Sequence, residues 1–446
     1  MSPFRFGGFA LYSVVIRNAR VAFQDGSTCE CDLACEHGLI ARIEANITTQ
    51  SRESIDAAGE LLLPGVIDPQ VHFREPGATH KEDLASGSRA AVKGGVTSFL
   101  DMPNNNPPIV NQGALDDKLA RARNSCVANY GFFIGATPDN VNELNSATPV
   151  CGIKIFMGSS TGSLLVQDSK DLERIFAHGE RLIAVHAESE ARIKQRRAQY
   201  AHRHDAAAHS EIRDNQCALA ATQIALDLSM KYRRRLHILH VSTQEEVELL
   251  RRQKPPWVTA EVVPNHLFLN VHHYEELGTL VQMNPPIRQT EDNKALWQAL
   301  HDGVIDFIAT DHAPHTLAEK HQPYPHSPSG MPGVETSLPL MLTQMAAGKC
   351  TLAEIQSWMC YGPAEAYHIP NKGKIAEGWD ADLTLVDTSE VRPVRNEEML
   401  TKVEWSPYAG TMLTGWPTHT IVGGHVAFDR GRIREGAHGR ALTFTA

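Results

Sequence analysis

At 446 residues the chain has room for one large domain and a smaller one, and its 42% hydrophobic and 21% charged residues exclude a disordered or fibrous protein. A formal net charge of -10 opposes nucleic acid and anionic membrane as partners, since both would repel it. A small anionic substrate stays open to it, because a local cationic pocket overrides the global sign.

The N-terminal MSPFRFGGFALYSVV has one arginine, two adjacent glycines and no small-residue cleavage site. It runs straight into VVIRNARV, so it reads as structure and not as a targeting peptide. With no stretch near the length of a membrane span, the protein is expected to be cytoplasmic. From about Tyr12 to Ile55, apolar and polar residues alternate, with turns at Asp25-Gly26 and His37-Gly38, which predicts short antiparallel strands. Cys29, Cys31 and Cys35 lie in this stretch. Their C-x-C-x3-C spacing matches none of the common zinc patterns, so they read as thiols around a strand turn.

The middle of the chain repeats strand-length apolar runs separated by helical segments, the pattern of βα units around a parallel sheet. The strands are LLLPGVID (61–68), VTSFLDM (96–102), NYGFFIG (129–135), GIKIFM (152–157), RLIAVHAE (181–188), LHILHVS (236–242), VTAEVV (258–263) and VIDFIATD (304–311). Helices are predicted at Glu82–Lys93, Asp168–His178, Gln244–Gln253 and Asp292–Asp302. Eight such units predict a closed (β/α)8 barrel; no G-x-G-x-x-G follows the first strand to favour an open doubly wound sheet. From about Gly373 the chain returns to β patterning (DADLTLVD, HTIVGGHVAFDRGRIRE). Neither end alone can bury a face. The expected α/β organisation is therefore a barrel over 61–370, with 1–60 and 371–446 combining into a small β-sandwich domain.

In a barrel of this kind the active site lies at the C-terminal ends of the strands. Here those ends carry His72, Lys154, His186, His240 and Asp311, each in or beside an apolar run where it is costly without a partner. A single histidine so placed is ordinarily a satisfied core residue, but five polar residues at equivalent ends point to one site. Imidazole and carboxylate together suit a divalent first-row metal, zinc above all. Lys154 as an ammonium would repel a cation; as a buried neutral amine it can react with carbon dioxide to give an anionic carbamate. Spacing alone leaves that reading level with a lysine that snorkels out or pairs with Asp311.

DPQVHFREPG (68–77), DMPNNNPP (101–108), GIKIFMGSSTG (152–162), VHAES (185–189), LHVS (239–242), NPPIR (284–288) and ATDHAPH (309–315) resemble the motifs of the dihydroorotases in the amidohydrolase superfamily, in register from about Leu61 to Pro363. The resemblance implies a flanking β-domain and metal positions at His72, carboxylated Lys154, His186, His240 and Asp311, with Lys154 bridging two zinc ions where two are bound. It implies Asp311 as general base and acid, and Arg74, Asn104, Asn284 and His315 as substrate residues, Arg74 gripping the substrate carboxylate. The metals would polarise the ring amide carbonyl and activate water at neutral pH. The implied reaction is the reversible closure of N-carbamoyl-L-aspartate to L-dihydroorotate, by a protein expected to be a homo-oligomer, a dimer or larger.

The pattern breaks in three places. The family usually shows H-x-H at the first strand end, where this chain has Gln70-Val71-His72, and an amide oxygen is a poorer zinc ligand than imidazole. One metal or two are therefore both open, and so is a non-catalytic partner of a transcarbamoylase. Six retained residues against one substitution favour an active enzyme over that partner. Within the enzymes, a hydantoinase or allantoinase is the alternative. Asn265 stands where many relatives have histidine, and NNN (104–106) replaces a more usual Asn-Thr. PSGMPGVET (328–336) reads as a loop near the site mouth.

Overall fold

The structure is a computed structural model that describes residues 11–160 and 163–445. The start of the N-terminal segment read above as non-targeting, and the end of GIKIFMGSSTG, lie outside the described residues.

The two ends of the chain form one hydrogen-bonded sheet. From the N-terminal side come β1 (Tyr12–Ala22), β2 (Thr28–Glu36), β3 (Leu39–Glu44), β4 (Ser51–Asp56) and β5 (Leu61–Pro64). The middle strands follow, β6 (Val66–Val71), β7 (Val96–Asp101), β8 (Asn129–Phe132), β9 (Ile134–Gly135), β10 (Ile153–Phe156), β11 (Ile183–His186), β12 (Leu236–Ile238), β13 (Val258–Val262) and β14 (Phe307–Ile308). The C-terminal side returns β15 (Leu383–Pro393), β16 (Met412–Val422), β17 (His425–Asp429) and β18 (Arg432–Ile433). The end sheet has nine strands in the order β18-β17-β16-β15-β5-β1-β2-β3, with β4 beside β1. Val14, Ile16, Leu33 and Cys35 from one end and Leu383, Leu385 and Ile421 from the other share one apolar cluster, which neither end could complete alone. Cys31 and Cys35 are buried in β2 and Cys29 is exposed; all are free thiols.

The run LLLPGVID, expected as the first barrel strand, divides at Gly65. Leu61–Pro64 pairs antiparallel with β15 in the end sheet, and only Val66–Val71 joins the parallel middle strands. A Cβ at Gly65 would lie 2.2 Å from Thr97 Oγ1, so glycine allows the chain to cross from one layer to the other against β7.

The middle strands pair in parallel throughout, β6-β7-β8 in one sheet and β9 to β14 in another, with β8 and β9 separated only at Phe133. The last position lies against the first through a parallel bridge between Val71 and His312, where His72 N–H donates to His312 O at 2.8 Å. β6, β7, β10 and β11 are buried at every residue, which explains why they read as continuous apolar runs and not as alternating ones.

The helices fall where expected. Leu84–Lys93 starts at an Asp83 cap, Ser169–Ala177 at Asp168 and Gln244–Gln253 at Thr243, and Thr290–His301 packs beside Gln244–Gln253. Two elements depart from expectation. VIDFIATD is regular only over Phe307–Ile308, because Thr310 turns to bond Asp68 and Asp311 takes φ +48°. The last described residues leave the end sheet and return to the middle strands: Ala441 bridges Tyr130, and Leu442 and Phe444 pack with Ile67, Leu100 and Phe133. No described helix is long and apolar enough to cross a membrane.

Candidate active site

Apart from Lys154, the polar residues fall at or just past the ends of the strands, and this sets the site. His72 follows β6, Lys154 lies in β10, His186 ends β11, His240 comes two residues after β12 and Asp311 three after β14. Arg74, His240 and Asp311 have φ of +61°, +38° and +48°. Such backbone costs about 1–3 kcal/mol per residue, a strain that clusters at functional sites. The result is one pocket lined by His72, Lys154, His186, His240 and Asp311 together with Gln70, Arg74, Asn104 and Asn284. Phe156, Ser160, Ala313, Ser329 and Gly330 complete its wall.

Two pairs of atoms able to ligate a cation face each other in this pocket. At one end His72 Nε2 lies 3.2 Å from Asp311 Oδ1, and His72 Nδ1 lies 2.7 Å from Asn104 Oδ1. An amide oxygen only accepts, so Nδ1 donates to it, and in the neutral ring that burial favours Nε2 offers a lone pair toward the carboxylate. At the other end His186 Nδ1 lies 3.1 Å from His240 Nε2. His186 donates through Nε2 to Glu188 Oε2 at 2.9 Å, which leaves its Nδ1 lone pair directed at His240. Glu188 is held as a carboxylate, its pKa down to about 2 despite burial, by Arg213, which pairs with it, and by His186. This carboxylate–imidazole contact fixes the tautomer as metal sites require. His240 Nδ1 is buried with no partner among the described residues.

These atoms test whether a cation fits. Among the described residues no group of three or more His, Cys, Asp or Glu could hold a metal, so the ordinary donors amount to two pairs. Lys154 supplies the missing donor if it is an anion. Burial drives its pKa from 10.5 to about 7, against the pull of Asp311 and Glu261, so near neutrality the reactive amine is well populated. Its Nζ sits 4.5 Å from the centre of the Phe156 ring. The donor set fits a divalent cation with Lys154 as carbamate, and falls one donor short with Lys154 as ammonium.

Gln70 occupies the pocket wall beside this arrangement. Its Nε2 donates to Asp311 Oδ1 at 3.1 Å, and its Oε1 is buried without a partner among the described residues. The amide thus acts on the carboxylate as a donor.

The substrate residues divide. Arg74 is buried in the pocket wall, its Nε donating to Pro314 O at 3.2 Å, and burial lowers its pKa to about 10, so it stays a cation. Asn284 lines the pocket and its Oδ1 accepts from His209 Nε2 at 2.8 Å. His315 does not line the pocket. Lys81 Nζ, which only donates, lies 2.9 Å from its Nδ1, so Nε2–H donates to Ser329 O at 3.1 Å. The 3.2 Å approach of Arg74 Nη2 to that same nitrogen is then packing, and His315 supports Arg74 from behind. Asn265 is also away from the pocket, accepting from Tyr408 Oη at 2.9 Å.

Several residues escaped the sequence reading. Glu188 stands in a quoted motif but had no assigned partner, and Arg213 lies in no element that patterning marks. Below the pocket, His237 Nε2 lies 3.0 Å from Glu261 Oε2, both fully buried. Burial raises the Glu261 carboxyl well above its usual range and lowers His237 to about 3, and His237 Nδ1 lies 2.8 Å from Thr259 Oγ1. The only sequence signals were a glutamate inside VTAEVV and the first histidine of LHILHVS. Ser329 and Gly330 place PSGMPGVET at the mouth, as expected.

Comparison with known proteins agrees with this geometry. The amidohydrolase family model matches residues 61–427. A protein of Methanosarcina mazei named dihydroorotase is 35% identical, covering 94% of this chain and 97% of its own length. One of Halobacterium salinarum, also named dihydroorotase, is 37% identical over 93% of this chain and 96% of its own. Among solved structures, an L-hydantoinase (dihydropyrimidinase) from Arthrobacter aurescens superposes with a TM-score of 0.93 at 29% identity, covering 97% of this chain and 100% of that one. The chain belongs to the amidohydrolase family, within its dihydroorotase branch.

Proposed function

We propose that this protein is a zinc-dependent dihydroorotase that interconverts N-carbamoyl-L-aspartate and L-dihydroorotate on a closed (β/α)8 barrel flanked by a β-sandwich of the two chain ends. The observation that carries the reading is the buried cation Arg74 in the same pocket wall as Lys154, His186, His240, His72 and Asp311. A cyclic ureide without a carboxylate gives that guanidinium nothing to bind, whereas a ring carboxylate matches its fork. Eight free thiols suit a reducing compartment, and the proposal places the protein in the cytoplasm.

His186, His240 and Lys154 at one end, and His72 and Asp311 at the other, would hold the metal. Imidazole and carboxylate oxygen favour zinc, which supplies a Lewis acid to polarise the ring amide carbonyl and lower the pKa of water. In the hydrolytic direction a water oxygen adds to the carbonyl carbon and the ring C–N bond breaks. Asp311 takes the water proton and returns it to the departing nitrogen. In ring closure the same carboxylate removes the nitrogen proton. Lys154 becomes an anion when its amine nitrogen bonds the carbon of carbon dioxide and the N–H proton leaves. Arg74 and Asn104 orient the substrate.

A colorimetric assay for carbamoyl aspartate on zinc-loaded protein tests the reading. Turnover of dihydroorotate well above blank is expected; its absence would favour a non-catalytic partner of a transcarbamoylase. The Arthrobacter aurescens likeness motivates one alternative, a hydantoinase, in which hydantoin or dihydrouracil would be the better substrate.

Two further outcomes follow from the donor set. Gln70→His is expected to raise zinc per chain, read by elemental analysis, because imidazole replaces a neutral amide oxygen beside Asp311. An unchanged zinc content in the folded variant refutes a metal cost at this position. Incubation with 13C-bicarbonate is expected to give a carbamate carbon signal that Lys154→Met lacks. Because the amine, not the ammonium, reacts, that signal should grow as pH rises through about 7, where an ordinary lysine requires a pH above 10. A signal that persists in Lys154→Met places the carbamate elsewhere.

A further inference from the structure

Arg74 and Asn104 lie on two different loops, one after β6 and one after β7, and something must hold those loops in register for both to meet one ligand. The structure shows a buried node between them. Lys118 comes from the outer helix Gln112–Ser125, where Leu115, Lys118 and Ala122 form the inward face. A lysine there is out of place in an apolar stripe, and it is completely enclosed. Its Nζ pairs with Asp101 Oδ2 at 2.8 Å, donates to Asn105 Oδ1 at 2.6 Å, and rests 4.8 Å from the centre of the Phe132 ring.

Each partner reaches the first loop. Asp101 Oδ1 accepts from the backbone N–H of Phe73 at 3.1 Å, immediately before Arg74. Asn105 Nδ2 donates to Glu75 O at 3.0 Å, immediately after it. Arg74, at φ +61°, is thus pinned on both sides in a backbone conformation it would not hold unaided. The loops touch again at Gly77, φ +112°, where a Cβ would lie 2.6 Å from Asn106 O. Asn105 is one of the residues in NNN that depart from the usual pattern, and its amide joins the two loops beside the Asn106 N–H, which donates to Pro76 O at 3.1 Å.

We infer that Lys118, acting through Asp101 and Asn105, is a positioning residue that sets the Arg74 loop against the Asn104 loop and so controls affinity for the substrate carboxylate. The inference rests on Arg74 gripping that carboxylate. Its link to the metal donors is Asn104, whose Oδ1 accepts from His72 Nδ1 at 2.7 Å.

Lys118→Met would strand Asp101 as a buried unpaired carboxylate and endanger folding, so Asn105→Ala is the working variant, since Asn105 is only partly buried and its loss leaves the ion pair intact. With orotate as the probe in calorimetry and dihydroorotate in kinetics, Asn105→Ala should raise Kd and KM together by about tenfold, a loss of one charge-assisted contact's worth, with kcat within about threefold. In an Arg74→Ala background the same substitution should then change nothing, because it works through Arg74. Additive losses in the double variant, or a fall in kcat and Tm with Kd untouched, would show a merely structural node. If Arg74→Ala itself leaves orotate affinity unchanged, the substrate reading fails and this inference fails with it; a weakened Arg74→Ala beside a normal Asn105→Ala refutes this inference alone.

Discussion

Asp311→Asn is expected to lower kcat by about 10²–10⁴-fold, the usual worth of a positioned proton carrier, while the protein keeps its fold. The substitution is close to isosteric. Asparagine tolerates the positive φ of this position nearly as well as aspartate, so the backbone at +48° should persist. The amide oxygen can still accept from Gln70 Nε2, now 3.1 Å from the carboxylate. What disappears is the base, and with it the group that hands the proton to the departing nitrogen. Zinc content should be measured beside kcat, because His72 Nε2 and Asp311 Oδ1 form one of the two donor pairs. Full zinc with collapsed kcat isolates proton transfer; kcat near wild type would remove Asp311 from the chemistry.

Arg74→Ala is expected to raise KM for dihydroorotate by roughly 10- to 150-fold, since hydrogen bonds to a charged group are worth about 1.5–3 kcal/mol. Hydantoin and dihydrouracil, which carry no ring carboxylate, should lose nothing and compete better in the variant. The guanidinium is enclosed by Pro314 O and the His315 ring, so its removal opens space in the wall without unpairing a carboxylate. An unchanged KM for dihydroorotate would transfer the substrate assignment to the neutral cyclic ureides that the solved hydantoinases are named for.

The same contrast explains what could be read ahead of the structure. His72, Lys154, His186, His240 and Asp311 were legible because a polar side chain at the end of an apolar run is conspicuous in one dimension. Glu261 and His237 were as anomalous, yet their pairing 3.0 Å apart joins neighbouring strands and no local pattern announces it. His315 was expected at the substrate and lies outside the pocket lining with its ring 3.2 Å from Arg74 Nη2, a placement that spacing along the chain cannot express. LLLPGVID looked like one strand because its apolar run is unbroken; the division at Gly65 depends on Thr97, thirty-two residues away.

Taken by itself, the amino-acid order determined the alternation of strand and helix, the union of two β-patterned ends around a βα core, and which strand ends carry the polar residues that line one pocket. Those follow from periodicity and from the cost of burying polar atoms, both local properties. Tertiary structure decided the rest. It set which lone pairs face one another, pressed the Lys154 amine toward neutrality by removing water, turned Gln70 into a donor for Asp311, and bound the Arg74 and Asn104 loops through an enclosed Lys118. Each of these depends on burial or on distances between residues far apart in sequence, quantities that exist only once the chain has closed on itself.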